Sequence, residues 1–452
     1  MSYILNTFMK NPASKITFPL SFIIFFSVLN GMMFQVAIPD ISAEFNLLPS
    51  EVSWVMTGYI LVFAVGALIY GKLADIYPVK RLITIGLILM NAGSMLGLFS
   101  QWYPMLIAAR LIQAGGGAAI PALAMIVVTR YFPADLRGNM LGIIASTVAL
   151  AAGLGPIMGG FVSGTFSWKY LFLFSLATLF VIPSLRRILP AEKKIPDTFD
   201  TAGAVLIGGG SSSLLIFVTQ GNGWFLAASV VMTGYFIFHI KKTAAPFVSP
   251  SLFSNKHYRN TVMTTFLSIG SVFGMLFMVP IMLRDLLDLS SNSIGLTLFP
   301  GAMTAVLAGV LGGRLSDRKG SRFVVYLGSF ILIAGFLALS TVAGQKAWIV
   351  ASALIISYAG FALLQSSLPH TISISLSKDQ TGIGMGIYNL LFFVSGAFST
   401  AGIGRLLDFG TTGFCLNPIN SCVEGWIYSN IFLMLAAVVT ASVFLFSITF
   451  KK

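Results

Sequence analysis

Charged residues divide this chain into long uncharged stretches, and the lengths of those stretches carry the first inference. Runs at 16–39, 52–71, 82–109, 111–129, 138–168 and 170–185 contain no Asp, Glu, Lys or Arg. About 20 apolar residues cross the ~30 Å hydrocarbon layer of a bilayer as a helix, so these runs predict six spans. The sixth is short unless Lys169 snorkels outward. The polar segment Arg186 to Asp200 follows, rich in charge and proline. From Thr201 to Ile240 the chain is apolar apart from His239, and Thr219-Gln220-Gly221-Asn222-Gly223 splits it into two spans. After the basic loop Lys241 to Arg259 come runs at 260–283, 289–313, 323–345, 347–377, 380–404 and 425–450. The pattern predicts an all-α integral membrane protein of fourteen transmembrane helices in a 6+2+6 order. Its expected domains are a six-helix bundle over 1–190, a central loop with two extra helices over 191–245, and a second bundle over 246–452.

Composition agrees with this reading. The 452 residues are 56% hydrophobic and 9% charged, with mean hydropathy +0.91, where soluble domains carry roughly 25% charged residues. A net charge of +13 would point a soluble chain toward nucleic acid; here it is distributed by topology, and no nucleic-acid partner is expected. With fourteen spans, Lys169, Arg284, Lys346 and Arg405 fall on one side and Arg110 within a span, leaving 22 of the 27 basic residues on the other side. Basic residues concentrate in cytoplasmic loops, so both termini are expected in the cytoplasm. No cleavable signal is evident before the first span, which is expected to stay in place. No phosphate-cradling glycine loop, paired His-x-x-x-His or acid pair on a soluble domain is present, so ATP-driven transport, enzymatic chemistry and a protein-bound metal are not expected. Cys415 and Cys422 share one polar segment on the side opposite the termini. A small disulfide loop and two free thiols both fit there.

One loop recurs. Gly71-Lys72-Leu73-Ala74-Asp75-Ile76-Tyr77-Pro78-Val79-Lys80-Arg81 lies between spans two and three, and Gly313-Arg314-Leu315-Ser316-Asp317-Arg318-Lys319-Gly320-Ser321-Arg322 repeats its order of glycine, basic residue, leucine, small residue, aspartate and basic cluster. Two further stretches stand out: Arg110 to Ala119 on span four, with three successive glycines, and Gly153-Leu154-Gly155-Pro156-Ile157-Met158-Gly159-Gly160 on span five. In this order and spacing they resemble the signatures of the major facilitator superfamily, specifically its fourteen-span drug/proton antiporters, with Pro78 where a glycine is usual. The resemblance covers nearly the whole chain and implies the major facilitator fold in a bacterial plasma membrane. It also implies a monomer that exports a small amphipathic substrate in exchange for protons, without a cofactor.

The resemblance assigns roles residue by residue. Gly71, Asp75, Arg81, Asp135, Arg137, Asp317, Arg318 and Arg322 form a cytoplasmic gate, which a merely solvated basic loop would also partly explain. Arg110 lies in the central cavity and takes part in proton coupling or substrate contact; the bland alternative is a snorkelling arginine. A charge inside a span costs from ~2.5 to over 10 kcal/mol, so it needs a partner or water. Gly153, Gly155, Pro156, Gly159 and Gly160 form a hinge and seal between the halves, or pack helices closely without any such role. Asn30, Gln35, Trp54, Tyr59, Gln113, Gln365, Tyr388 and Asn389 are polar groups within or near spans, expected to divide between cavity lining and bonds between helices.

Phe26 to Asn30, Ala37 to Ile41 and Pro121 to Leu123 bring the chain nearest to the Gram-positive tetracycline-metal/proton antiporters. The intramembrane glutamates of those relatives are replaced here by Gly31, Ala152 and Gly396. All fourteen acidic residues fall in loops or at span ends. Asp40 is then the best carboxylate for proton exchange, although it also fits as a polar helix end after Pro39. A cavity with one arginine and no carboxylate suits a neutral, zwitterionic or anionic amphiphile. Tetracycline is the leading substrate, with a divalent metal travelling beside it; an endogenous lipid or metabolite and a non-transporting receptor are the alternatives.

Overall fold

The computed structural model describes residues 12–190, 192, 200–243, 252, 254–410, 415–419 and 425–450. Among these, fourteen helices are long and apolar enough to cross a membrane. They are α1 (Ile16–Phe45), α2 (Pro49–Ile76), α3 (Val79–Leu98), α4 (Tyr103–Tyr131), α5 (Asn139–Thr165), α6 (Trp168–Ile188) and α7 (Thr201–Gln220). The remainder are α8 (Gly223–Lys242), α9 (Lys256–Leu287), α10 (Ser291–Lys319), α11 (Ser321–Val342), α12 (Ala347–Ser375), α13 (Gly384–Asp408) and α14 (Trp426–Thr449). Fourteen crossings return α14 to the face where α1 begins, and there Asn260 at the start of α9 hydrogen-bonds Thr449 at the end of α14. We call this the terminal face and the opposite one the far face.

The short sixth run reaches across by changing its geometry. α6 alternates 3₁₀ segments at Trp168–Phe172 and Ala177–Val181 with α-helical turns. A 3₁₀ segment rises about 2.0 Å per residue against 1.5 Å in an α-helix, which lengthens the span. Lys169 binds Glu44 of α1 at 2.8 Å, so the ion pair ties α6 to α1 at the far face.

In the first half α1 packs on α5, and α4 on α2 and α3; in the second, α12 packs on α10 and α11, and α9 on α13 and α14. The halves meet along three seams, α5 with α10, α2 with α13, and α1 with α9. α7 lies against α2 and α13 at the edge of one seam, while α8 packs mainly on α7 and is largely exposed. α9 is the most enclosed span, in keeping with a place between both halves.

Candidate functional site

The glycines of span five do different jobs on two faces of α5. A Cβ added at Gly155 would lie 2.4 Å from the Met32 side chain, and one at Gly159 the same distance from the Met33 carbonyl, so these two seat α5 on α1. A Cβ at Gly160 would lie 2.5 Å from the Ser291 carbonyl and 3.0 Å from Gly295, and one at Gly153 would lie 3.1 Å from Met303, so these two seat it on α10. Gly295 returns the contact, since its Cβ would meet the Pro156 carbonyl at 2.5 Å. Small residues let backbones approach in this way, and dispersion between the backbones then holds the halves together. Toward the terminal face the glycines of both helices are open. A Cβ at Gly142, Gly309 or Gly313 would meet nothing within 4 Å, and α5 turns Asn139, Ser146 and Thr147 to an open space of about 570 Å³.

The far face is tied across the halves by carboxylates. Asp40, at the end of α1, accepts from Arg284 of α9 at 2.6 Å. It also accepts from the Ser163 hydroxyl of α5 and the Ser291 hydroxyl of α10. One carboxylate therefore joins four helices from both halves. On the α2–α13 seam, Asp408 accepts from the Ser50 backbone N–H at 3.0 Å and pairs with Arg405 at 3.5 Å. Its charge sits at the positive end of α2, where anions are favoured.

At the terminal face the described ion pairs stay within the first half and the loop that follows it. Asp75 pairs with Arg130 at 3.4 Å, and Arg130 also donates to the Ala74 carbonyl and to Glu192. Glu192 accepts in addition from the Val79 N–H at 2.7 Å. Burial pushes the Glu192 carboxyl up, but the Tyr131 hydroxyl, the Val79 amide and the Arg130 guanidinium outweigh it and hold the group below its ordinary range. The described partner of Asp75 is thus Arg130, which is not among the gate candidates, because Arg130 ends α4 directly beside the α2 terminus. Arg137 instead donates to the Phe132 carbonyl and closes the end of α4. Gly71 is open on its Cβ side, and Arg81, Asp317, Arg318 and Arg322 are exposed. The side chain of Asp135 lies outside the described residues.

Arg110 is 1% exposed and enclosed within the first half. Its guanidinium lies between the rings of Phe34 and Tyr59, at 4.1 and 4.0 Å from their centroids. It donates to Gln113 Oε1 at 2.7 Å, Asn30 Oδ1 at 3.2 Å and the Val55 carbonyl at 3.3 Å. Two aromatic faces and three neutral acceptors take the place of a carboxylate; cation–π contacts are worth about 2 kcal/mol or more where water is excluded. The Gln113 amide runs on to Ser94 and Ser175, and the Asn30 amide to the Leu171 carbonyl. Arg110, Asn30, Tyr59 and Gln113 therefore form one closed network on α1, α2 and α4 rather than an open cavity wall.

The other cavity candidates scatter. The Trp54 indole donates to Thr219 of α7 at 3.2 Å, facing the extra hairpin. Gln35 is buried on α1 with its amide 3.5 Å from the Met32 sulfur. Tyr388 is buried with its ring near Phe392, whereas Gln365 and Asn389 are exposed on α12 and α13. Cys415 is disulfide-bonded, and Cys422 lies outside the described residues. Among the described residues no group of His, Cys, Asp and Glu could hold a metal ion.

Two six-helix halves with an extra central pair, joined by glycine seams and a charged latch, define a multi-pass membrane protein. The Major Facilitator Superfamily family model matches residues 20–400, and the chain belongs to that superfamily. It is 28% identical over 413 residues to the uncharacterized MFS-type transporter YfiU of Bacillus subtilis, covering 85% of this chain and 79% of the relative. It is 26% identical over 400 residues to the multidrug transporter protein MdtP of the same organism (85% and 73%), and 24% identical over 403 residues to the riboflavin transporter RibZ of Clostridioides difficile (85% and 87%). The fold matches the xylose transporter XylE of E. coli in a partially occluded inward open conformation, with a TM-score of 0.65 at 13% identity, covering 97% of this chain and 98% of the other. It also matches a peptide transporter POT bound to sulfate, at 0.68 and 15% identity, covering 96% and 94%. The chain is a multi-pass plasma-membrane protein of the transporter class.

Proposed function

We propose that this chain is a proton-coupled secondary transporter that exports amphipathic drugs or antibiotics by alternating access, with its terminal face in the cytoplasm. The carrying observation is Asp40, a titratable group at the far face that binds Arg284, Ser163 and Ser291 and so joins the halves. Protonating it removes the ion pair, and the far face then opens without the α1–α9 tie. Of the two residues suggested for proton coupling, Asp40 bridges the halves, while Arg110 organises the inside of the first one. The open positions at Gly142, Gly309 and Gly313 toward the terminal face support reading the described state as inward-facing. Alternating access then requires that proton and substrate have different affinities for the two facing states.

Relatives named for multiple drugs and for riboflavin support a small organic substrate. Tetracycline, free or with a divalent metal, is our leading candidate, and uncharged or anionic amphiphiles rank above bare cations because no carboxylate neutralises charge around Arg110. The same feature favours an endogenous lipid or metabolite as the second reading. The test is flux in inside-out vesicles under an imposed pH gradient, with tetracycline with and without Mg²⁺, an anionic dye and ethidium. Accumulation that collapses with the gradient and is lost in Asp40→Asn is the expected result. Flux indifferent to pH for every compound would sink the antiporter reading, and strong ethidium transport with anions ignored would sink the substrate class.

A further inference from the structure

A second cavity, of about 610 Å³, lies away from the α5–α10 seam, between α2, α3 and α7. Its long wall is the α2 stripe Val62, Val65, Ile69 and Leu73, and Gly115 and Gly208 leave it deep where side chains are missing. From Val62 to Leu73 the stripe is eleven helical rises, about 16 Å long. That is about half of the ~30 Å hydrocarbon thickness, the share of one leaflet. At the terminal-face end the lining changes to Tyr77 and Arg81. Arg81 is exposed, and among the described residues no carboxylate pairs with it or with Lys72 or Lys80. The nearby acids are engaged elsewhere: Asp75 by Arg130, Glu192 by Arg130 and the Val79 amide.

We propose that an anionic phospholipid of the terminal-face leaflet occupies this groove, with an acyl chain along α2 and its phosphate on Arg81. An apolar slot one leaflet long, ending at headgroup depth in positive charge that no described carboxylate neutralises, is complementary to that molecule in length and in charge. The lipid fills the gap between the first half and α7, and so steadies the extra hairpin against α2. Lys72 and Lys80 add positive charge at the mouth.

The test is native mass spectrometry of the full chain in detergent, titrated with phosphatidylglycerol or phosphatidylcholine of identical acyl chains. Wild type is expected to retain phosphatidylglycerol in preference to phosphatidylcholine. Arg81→Gln should lower that preference about fivefold, one charge's worth at a membrane surface. Val65→Trp, which fills the slot, should lose both lipids, while Leu296→Trp on the exposed side of α10 should behave as wild type. Excess inorganic phosphate should not displace the lipid. An unchanged preference in Arg81→Gln, a lipid that survives Val65→Trp, displacement by phosphate alone, or stoichiometric displacement by tetracycline would each overturn the proposal, the last by assigning the groove to substrate. None of these readouts depends on transport, so failure here is distinguishable from failure of the export reading.

Discussion

The two faces of the bundle are held by different kinds of bond. At the far face, carboxylates cross between the halves: Asp40 reaches Arg284 and Ser291, and Asp408 reaches the Ser50 amide. At the terminal face, the corresponding cluster of Asp75, Arg130 and Glu192 stays within the first half and the loop that follows it. A charge pair that spans the halves sets their relative position, whereas one within a half stiffens a single rigid body. In the proposed proton-coupled cycle the far face is where a proton changes the conformation, while the terminal face is where the loops are organised.

The largest expected effect lies between the faces and calibrates them. Arg110→Ala removes the cation from the Phe34–Tyr59 sandwich and leaves Asn30 and Gln113 without their donor. Emptying a buried site of this size and leaving amide oxygens unsatisfied costs about 2–5 kcal/mol, so thermal unfolding should show a marked loss of stability with no bias between facing states. Arg110→Lys should rescue little, because an ammonium cannot stack as a planar guanidinium does. Next comes Gly160→Val, which drives side-chain atoms into the Ser291 carbonyl. Overpacking costs about 1–3 kcal/mol and here opposes far-face closure specifically, so spin-label distances across α5 and α10 at that face should lengthen.

Asp40→Asn tests the comparison directly. Its pair is a third exposed or less on each side, and a partly screened ion pair with added hydrogen bonds is worth about 1–2 kcal/mol, a five- to thirtyfold shift toward the far-open state. The same distances should lengthen and lose their pH dependence; unchanged distances would show that the latch sets nothing. Glu192→Gln should have the smallest effect, about 1 kcal/mol or less, because its Arg130 partner is a third exposed and their 3.3 Å pair is screened by solvent. The Glu192 carboxyl is held below its ordinary value of 4.5, so its stabilisation is present above that pH and is lost as pH falls through the lower folded value. A melting-temperature difference from wild type at neutral pH that disappears in strong acid is the expected signature, with far-face distances unaltered.

Several of these features were legible in the residues themselves. Fourteen spans, the uneven distribution of basic residues and the glycines of α5 all follow from local pattern, because a helix in lipid must be long, apolar and internally hydrogen-bonded wherever it lies. Even the latch left a trace. Lys169, Arg284 and Arg405, three of the four basic residues that break the charge asymmetry, are each ion-paired at the far face, to Glu44, Asp40 and Asp408.

Pairing itself was a tertiary matter. Asp40 and Arg284 are 244 residues apart, and no periodicity or propensity relates two helix ends at that separation. Arg130 looked like one more basic residue of a loop, and packing of α4 beside α2 made it the partner of Asp75. Arg110 read as a cavity charge, since sequence marks a costly ion but cannot show that two aromatic rings and three neutral oxygens enclose it. Sequence determined which segments cross the membrane and what chemistry each carries; the assembled helices decided which of those groups meet, because charge and aromatic contacts depend on distances that only packing sets.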